Sequence, residues 1–163
     1  MAGTLLRKLY EYFERCRYAS NHRKFYREII KEVGVEEGDI ILDVGCGESP
    51  LTSASGNYKV VGLDIIEGVF KKAKEKANGN GEFVQANSQD IPFKDDTFDA
   101  VICIDNYSVP QESLKEMIRV VKKGKNIVIS ESDDELRRIA EEIKDYKFEF
   151  RSTKFGNYIC IQK

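Results

Sequence analysis

Apolar residues recur at two different spacings along the chain. From residue 5 to residue 34 they return every three or four positions, as on one face of an α-helix, whereas later short apolar runs are typical of buried strands. The pattern predicts helices over residues 5–16, 25–34, 51–54, 67–77, 111–121 and 133–144, the last with Ser132 as N-cap. It predicts strands over residues 40–44, 60–64, 82–86, 98–104 and 126–130, and a hairpin over 146–163 that turns at residues 155–157.

The order of these elements indicates an α/β fold. Strands that alternate with helices form a parallel sheet through right-handed crossovers, and ligands of such sheets bind outside the carboxyl ends of the strands. With 163 residues the chain has the length of one domain, 1–163, in which two N-terminal helices (1–38) precede a core of strands and helices (39–163).

A glycine turn after the first strand is the strongest indication of chemistry. The run Ile40-Ile41-Leu42-Asp43-Val44 leads into Gly45-Cys46-Gly47, and two glycines one residue apart let the backbone turn tightly and approach a ligand closely. About 20 residues further on, Asp64 ends the next strand, where a carboxylate can accept hydrogen bonds from both hydroxyls of a ribose. These features predict a nucleoside-binding site.

The turn does not fit a dinucleotide. The G-x-G-x-x-G frame that faces a pyrophosphate would need a third glycine where Pro50 stands. Asp43 before the turn and Glu48 within it would repel a pyrophosphate, whereas both suit a cationic ligand. S-adenosylmethionine is such a ligand, since its sulfonium and its ammonium are both positively charged.

Asp43 to Gly47 resembles the first motif of the class I S-adenosylmethionine-dependent methyltransferases, D-x-G-C-G-x-G, with Ser49 at the third glycine. Residues 83–99 look like the family's adenine-side loop, with Asn87 in place of the usual aspartate. The resemblance implies S-adenosyl-L-methionine as cofactor and a Rossmann-like seven-stranded, mostly parallel sheet of order 3-2-1-4-5-7-6, with strand 7 antiparallel and helices on both faces. The cofactor-binding residues that it implies are Asp43, Gly45, Cys46, Gly47, Asp64, Ile65, Asn87, Ser88 and Ile104.

Methyl transfer from a sulfonium is an in-line displacement, so the protein has mainly to align the reactants and exclude water. In the resembled family the loop after strand 4 borders the methyl group, which makes Asp105 and Tyr107 the catalytic candidates here. Asp105 could equally bind the cofactor ammonium or be a solvated loop residue. The loop lacks the prolines of the D/N-P-P-Y/F sequence that accompanies methylation of planar amino groups, so the acceptor stays open between protein, RNA and a small molecule.

Composition narrows the class of protein. A formal net charge of −2 and a pI near 5.6 give no overall basic field for nucleic acid. The four cysteines are far apart and form no C-x-x-C pair, so we expect neither a metal site nor a disulfide framework. The sequence has no apolar run of membrane-spanning length and no secretion-type leader, which predicts a cytoplasmic location.

The N-terminal helices carry the most ambiguous surface. Tyr10, Tyr12, Phe13 and Tyr18 alternate with many Lys and Arg residues. The aromatic residues are first of all core and the basic ones a solvated face. The surplus of positive charge could nevertheless bind RNA, a nucleotide, a lipid head group or a protein partner, or the segment could close over the cofactor as a lid. The connections after strands 4 and 5 are short where the resembled family commonly has insertions, which predicts an open acceptor site. An open site also fits the alternative function, a non-catalytic methyltransferase-like subunit that serves a partner.

Overall fold

The computed structural model describes residues 23–48, 51, 56–77, 81–106 and 109–163. Helix α1, seen over residues 23–32, precedes the first strand. The strands are β1 Ile40–Val44, β2 Lys59–Asp64, β3 Gly81–Gln85, β4 Phe98–Ile104, β5 Val121–Ser130, β6 Lys147–Thr153 and β7 Gly156–Gln162. The later helices are α2 Phe70–Ala77, which follows a 3-10 turn over Glu67–Val69, then α3 Gln111–Val120 and α4 Asp133–Glu142.

The seven strands form one sheet of order β3-β2-β1-β4-β5-β7-β6, which confirms the predicted topology. The first five strands are parallel to one another, and β7 is antiparallel to both β5 and β6. β1 lies between β2 and β4, with Asp43 opposite Gly62 of β2 and Ile102 of β4. The order reverses at β1, so the carboxyl ends of β1, β2 and β4 meet where ligands of such sheets bind.

The central strands are buried on both faces, so their side chains alternate between two hydrophobic clusters. Leu42 and Val44 of β1 join Val101 and Cys103 of β4 in the cluster that packs against α3 and α4. The opposite cluster contains Ile41 of β1 together with residues of α1, among which Phe25, Tyr26 and Ile29 are buried. Asp43 lies two residues after Ile41 on β1, so both side chains are on the same face of the sheet and Asp43 points toward α1.

Most predicted elements are present, with shifted bounds. β5 begins at Val121 instead of residue 126, and its first half was missed because Lys122, Lys123, Gly124 and Lys125 contain no apolar run. The hairpin turns at residues 154–155, one position before the predicted start of the turn. α4 ends at Glu142, and Ser132 caps it by accepting from the Glu135 N–H. The predicted helix over 5–16 and residues 52–54 lie outside the described residues.

Candidate functional site

The glycine turn after β1 is fixed to the neighbouring strand by its backbone. The N–H groups of Gly45 and Cys46 both donate to the carbonyl of Leu63 in β2, at 2.8 and 3.0 Å. Gly45 has a φ of +70°, and a Cβ there would lie 2.6 Å from Oδ1 of Asn106. Both the left-handed backbone and the closeness of Asn106 therefore require glycine at this position.

A second close approach lies beneath the turn. The Cys46 side chain is buried, and a Cβ on Gly62 of β2 would lie 2.8 Å from its Sγ and 2.8 Å from Cδ1 of Phe83. Burial raises the pKa of the Cys46 thiol, and the nearby Asp43 and Asp64 raise it further. Cys46 is thus a small packing residue under the turn, with no geometry for a nucleophile.

Asp64 joins the turn to the end of β2. Its Oδ2 accepts the Gly47 N–H and its Oδ1 accepts the Ile66 N–H, both at 2.9 Å. An ionised carboxylate has about four lone-pair sites, so Asp64 retains acceptor capacity for a diol. The next residue, Ile65, is 63% exposed, which leaves a large apolar side chain available to cover a flat ligand.

A cavity opens at this edge of the sheet and unites five of the predicted cofactor residues. Its wall is formed by Gly45, Leu63, Asp64, Ile65, Ala86, Asn87, Ser88 and Asn106. Leu63, Ala86 and Asn106 had not been predicted. Ala86 directly follows β3 and Asn106 follows Asp105, so proximity to predicted residues was the signal that could have found them.

Two predicted polar residues on the far wall are engaged locally. Asn87 is exposed, and its Oδ1 accepts the Gln89 N–H at 3.0 Å, which leaves one lone pair and both amide hydrogens for a ligand. The Ser88 hydroxyl lies 2.8 Å from the hydroxyl of Ser113 in α3.

Asp43 lies behind the cavity wall and is fully buried. The Tyr26 hydroxyl donates to its Oδ1 at 3.2 Å, whereas Oδ2 has no partner among the described residues. Burial raises the pKa of Asp43 to about 7, the Tyr26 hydrogen bond lowers it, and the charge of Asp64 raises it. A cation placed next to this carboxyl group would favour its ionised form.

Glu48 does not contribute the free negative charge that was expected from it. Its two carboxylate oxygens pair with Lys72 and Lys76 of α2, at 2.8 and 2.5 Å. Hydrogen bonds from these two lysines lower its pKa to about 2. The negative character of the site therefore comes from Asp43 and Asp64.

The loop after β4 borders the cavity and carries the catalytic candidates. Asp105 is exposed and has a φ of +50°, an uncommon backbone conformation for a residue with a side chain that is found more often at functional sites. The following Asn106 N–H donates to Oε1 of Glu131 at 2.7 Å. Burial raises the pKa of Glu131, with Asp105 and Glu135 adding to the increase. Tyr107 lies outside the described residues.

Ile104, the remaining predicted cofactor residue, is buried in the cluster under α1 and does not line the cavity. Sequence reasoning also missed Tyr26, because its helical spacing with Ile29, Ile30 and Val33 indicated only core packing. Within the described ranges, no group of three or more His, Cys, Asp or Glu side chains could hold a metal ion. None of the described helices combines the length and apolarity needed to cross a membrane.

Comparison with known proteins identifies the family to which the chain is similar. Residues 42–129 match the family model described as a methyltransferase domain. The ubiquinone/menaquinone biosynthesis C-methyltransferase UbiE of Escherichia fergusonii is 34% identical over 68% of this chain and 49% of its own length. UbiE of a Marinomonas species is 32% identical over 78% of this chain and 56% of its own. The chain thus spans about half the length of these curated relatives.

Solved structures share the fold. A candidate S-adenosyl-L-methionine-dependent methyltransferase of Methanococcus maripaludis superposes with a TM-score of 0.82 at 16% identity, covering 96% of this chain and 91% of the other. A candidate methyltransferase of Haloferax volcanii was solved in complex with the Trm112 methyltransferase activator. It superposes with a TM-score of 0.74 at 17% identity, covering 91% of this chain and 90% of the other. Together with the matched family model and the UbiE relatives, the sheet order and the glycine turn show that the chain belongs to the class I S-adenosylmethionine-dependent methyltransferase family.

Proposed function

We propose that this protein binds S-adenosylmethionine at the cavity beside the glycine turn and catalyses methyl transfer to an acceptor at the carboxyl edge of the sheet. The observation that carries the proposal is the pair of carboxylates around the turn, Asp43 and Asp64. Asp64 has acceptor capacity left after its two backbone hydrogen bonds, and Oδ2 of Asp43 lacks a partner among the described residues. A ligand that carries both a ribose diol and an ammonium group satisfies both carboxylates.

The remaining wall residues suit the other parts of such a ligand. Gly45 and Gly47 let the backbone lie against it, with Cys46 packed underneath. Ile65 would cover the adenine, and Asn87 and Ser88 would contact its polar edge. Ile104, which is buried below the wall, would act through packing alone.

The cofactor supplies an electrophilic methyl group on sulfur, so the contribution of the chain is alignment and exclusion of water. The loop after β4 would border the reacting atoms. Its described end is held by α4, because the Val109 N–H donates to Oε1 of Glu135 at 3.0 Å. Asp105, and Tyr107 in the same loop, are the residues that we propose to orient the acceptor or to take its proton.

The test uses cofactor labelled in the methyl group. A cell extract incubated with the protein and sorted into protein, RNA and small molecules should gain label in one fraction, and Asp64→Ala should abolish that gain. Because the curated relatives are named as C-methyltransferases of ubiquinone and menaquinone biosynthesis, a carbon acceptor is the first small-molecule class to examine. Equal labelling by the wild type and Asp64→Ala would contradict the proposal.

A non-catalytic subunit that serves a protein or RNA partner is the second candidate. The Haloferax structure, in which a candidate methyltransferase of this fold is bound to an activator, favours the protein partner of this candidate and does not bear on the loss of catalysis. A partner is also favoured by the exposed basic surface of α1 formed by Arg23, Lys24, Arg27 and Lys31, which would extend the basic character of the preceding residues. The labelling experiment distinguishes an enzyme from a non-catalytic subunit. RNA as the partner is tested by a salt titration of RNA binding, in which wild type is compared with an Arg23→Ala, Arg27→Ala variant.

A further inference from the structure

A buried hydrogen bond joins the cofactor edge of the sheet to a helix outside the glycine turn. Tyr26 of α1 and Asp43 of β1 are both buried, and the tyrosine hydroxyl donates to Oδ1 of Asp43 at 3.2 Å. Tyr26 lies outside residues 42–129, the part of the chain that matches the family model. The contact therefore joins the matched domain to a helix that lies outside the match.

We infer that Tyr26 is a positioning residue for the cofactor, whose hydroxyl turns Asp43 toward the cofactor ammonium and stabilises the ionised carboxylate. The inference rests on the proposed function, since it concerns the same site. With Oδ1 bonded to Tyr26, Oδ2 is the oxygen left for the ammonium, and it is the one without a partner in the described part of the chain.

The surroundings of Asp43 leave this role to Tyr26. The titratable groups that face the pair are Cys46 of the turn, Asp64 of β2 and Cys103 of β4. All three are neutral or negative, and no Lys, Arg or His of the described ranges forms an ion pair with Asp43. Tyr26 therefore supplies the one hydrogen bond from described residues that opposes the cost of burying the charge.

This arrangement couples cofactor affinity to pH. Burial raises the pKa of Asp43 to about 7 in the free protein, so part of the population is protonated at neutral pH. The ammonium favours the ionised carboxylate, and binding must release a proton from the protonated fraction. Affinity should therefore increase as pH rises through about 7 and level off above it.

The experiment is calorimetry of S-adenosylhomocysteine, which carries the same ammonium, from pH 5.5 to 9 with the full chain. In Tyr26→Phe the midpoint of the affinity profile should move up by about one to two pH units, because a hydrogen bond to a charged group is lost. At pH 7, buffers with different ionisation heats should show proton release on binding by wild type and a larger release by the variant.

Tyr158→Phe is the matched control. Tyr158 is also buried, and its hydroxyl also donates to a carboxylate, Glu32, across the packing of the same helix. This variant loses a comparable contact of α1 but should keep the wild-type midpoint. In an Asp43→Asn background, Tyr26→Phe should cause no further change in the pH profile, since the titrating group is gone.

The outcomes separate this inference from the function on which it rests. Wild type that binds with a pH midpoint unchanged in Tyr26→Phe would overturn the inference and leave the proposed function standing. Wild type that gives no heat with S-adenosylhomocysteine would overturn both. Wild type that binds without any release of protons between pH 6 and 8 would also overturn the inference, because it would contradict a titrating Asp43 beside the ammonium.

Discussion

Asp43 and Asp64 flank the same glycine turn in opposite environments. Asp64 is half-exposed and accepts two backbone N–H groups, whereas Asp43 is fully buried with a single tyrosine donor. Both were predicted from the sequence because each belongs to a recognisable motif, Asp43 two residues before the glycine turn and Asp64 at the end of the next strand. The partner of Asp43 was not, since Tyr26 belongs to no such motif and meets Asp43 only through the packing of α1 on the sheet.

Replacing Asp64 tests the ribose assignment. Asp64→Ala should weaken S-adenosylhomocysteine binding by roughly 1.5–3 kcal/mol, the scale of hydrogen bonds to a charged group. The matched control is Asp99→Ala at the other end of the sheet, where the carboxylate also accepts a backbone N–H, from Ile40 at 3.1 Å. Calorimetry should show normal affinity in the control, and unchanged affinity in Asp64→Ala would refute the assignment.

Replacing Asp43 tests the cost of its burial. The pKa of Asp43 is raised from 3.8 to about 7 in the folded protein, so the folded state binds more protons than the unfolded state between these values. Its contribution to the free energy of unfolding therefore falls as pH rises from about 4 to 7. Asp43→Asn removes this pH-dependent contribution. The free energy of unfolding of the variant should therefore exceed that of wild type by an amount that grows with pH, toward an upper bound of about 4 kcal/mol.

Urea unfolding at pH 5 and pH 8 measures this difference. Asp99→Asn should instead cost the same stability at pH 5 and at pH 8, because hydrogen bonds from Lys122 and Ile40 outweigh burial and lower the pKa of Asp99 below its ordinary value of 3.8. Asp99 therefore stabilises the fold at neutral pH, and that stabilisation is lost as pH falls through the lowered pKa. An Asp43→Asn advantage that stays constant or shrinks between pH 5 and 8 would contradict the buried, titrating carboxyl group.

At the scale of elements, the sequence predicted strands whose apolar runs are buried and missed the part of β5 that is polar. Residues 122–125 extend β5 through backbone pairing, with the Gly124 N–H donating to the Lys163 carbonyl at 2.8 Å. Side-chain patterns do not report such pairing. The turn of the hairpin was displaced for a related reason, since the strand register of β6 and β7 fixes it at residues 154–155.

The contact between β2 and the glycine turn depends on the absence of a side chain at Gly62. In Gly62→Ala the new Cβ would lie 2.8 Å from Cys46 Sγ and from Phe83 Cδ1, so the turn or the strand must shift. We expect a loss of about 1–3 kcal/mol in unfolding free energy, as for overpacked cores, together with weaker binding of S-adenosylhomocysteine. Gly68→Ala is the control, because a Cβ there meets nothing within 4 Å. Equal melting temperatures for the two variants would disprove the contact.

At the scale of the whole molecule, the sheet order was foreseen through the family resemblance, and the physical rules explain why it forms. Right-handed crossovers bring β1, β2 and β4 together, and the reversal of strand order at β1 opens the edge where Asp64 and Asn106 meet. The docking of α1 was not foreseen, since an amphipathic helix pattern does not reveal which face of a sheet it covers. The sequence therefore predicted the cavity residues contributed by the ends of β1 and β2, such as Gly45 and Asp64, but it did not predict Ala86 after β3 or Asn106 after β4.

The binding of cofactor by the whole chain tests the central claim most directly. Isothermal titration of S-adenosylhomocysteine into the wild-type protein at pH 8, where Asp43 is largely ionised, should give saturable binding at one site per chain. The same ligand at 100 times its dissociation constant should stabilise the fold by about 2.7 kcal/mol. Absence of heat and of any thermal shift at millimolar ligand would contradict the assignment of this cavity to S-adenosylmethionine.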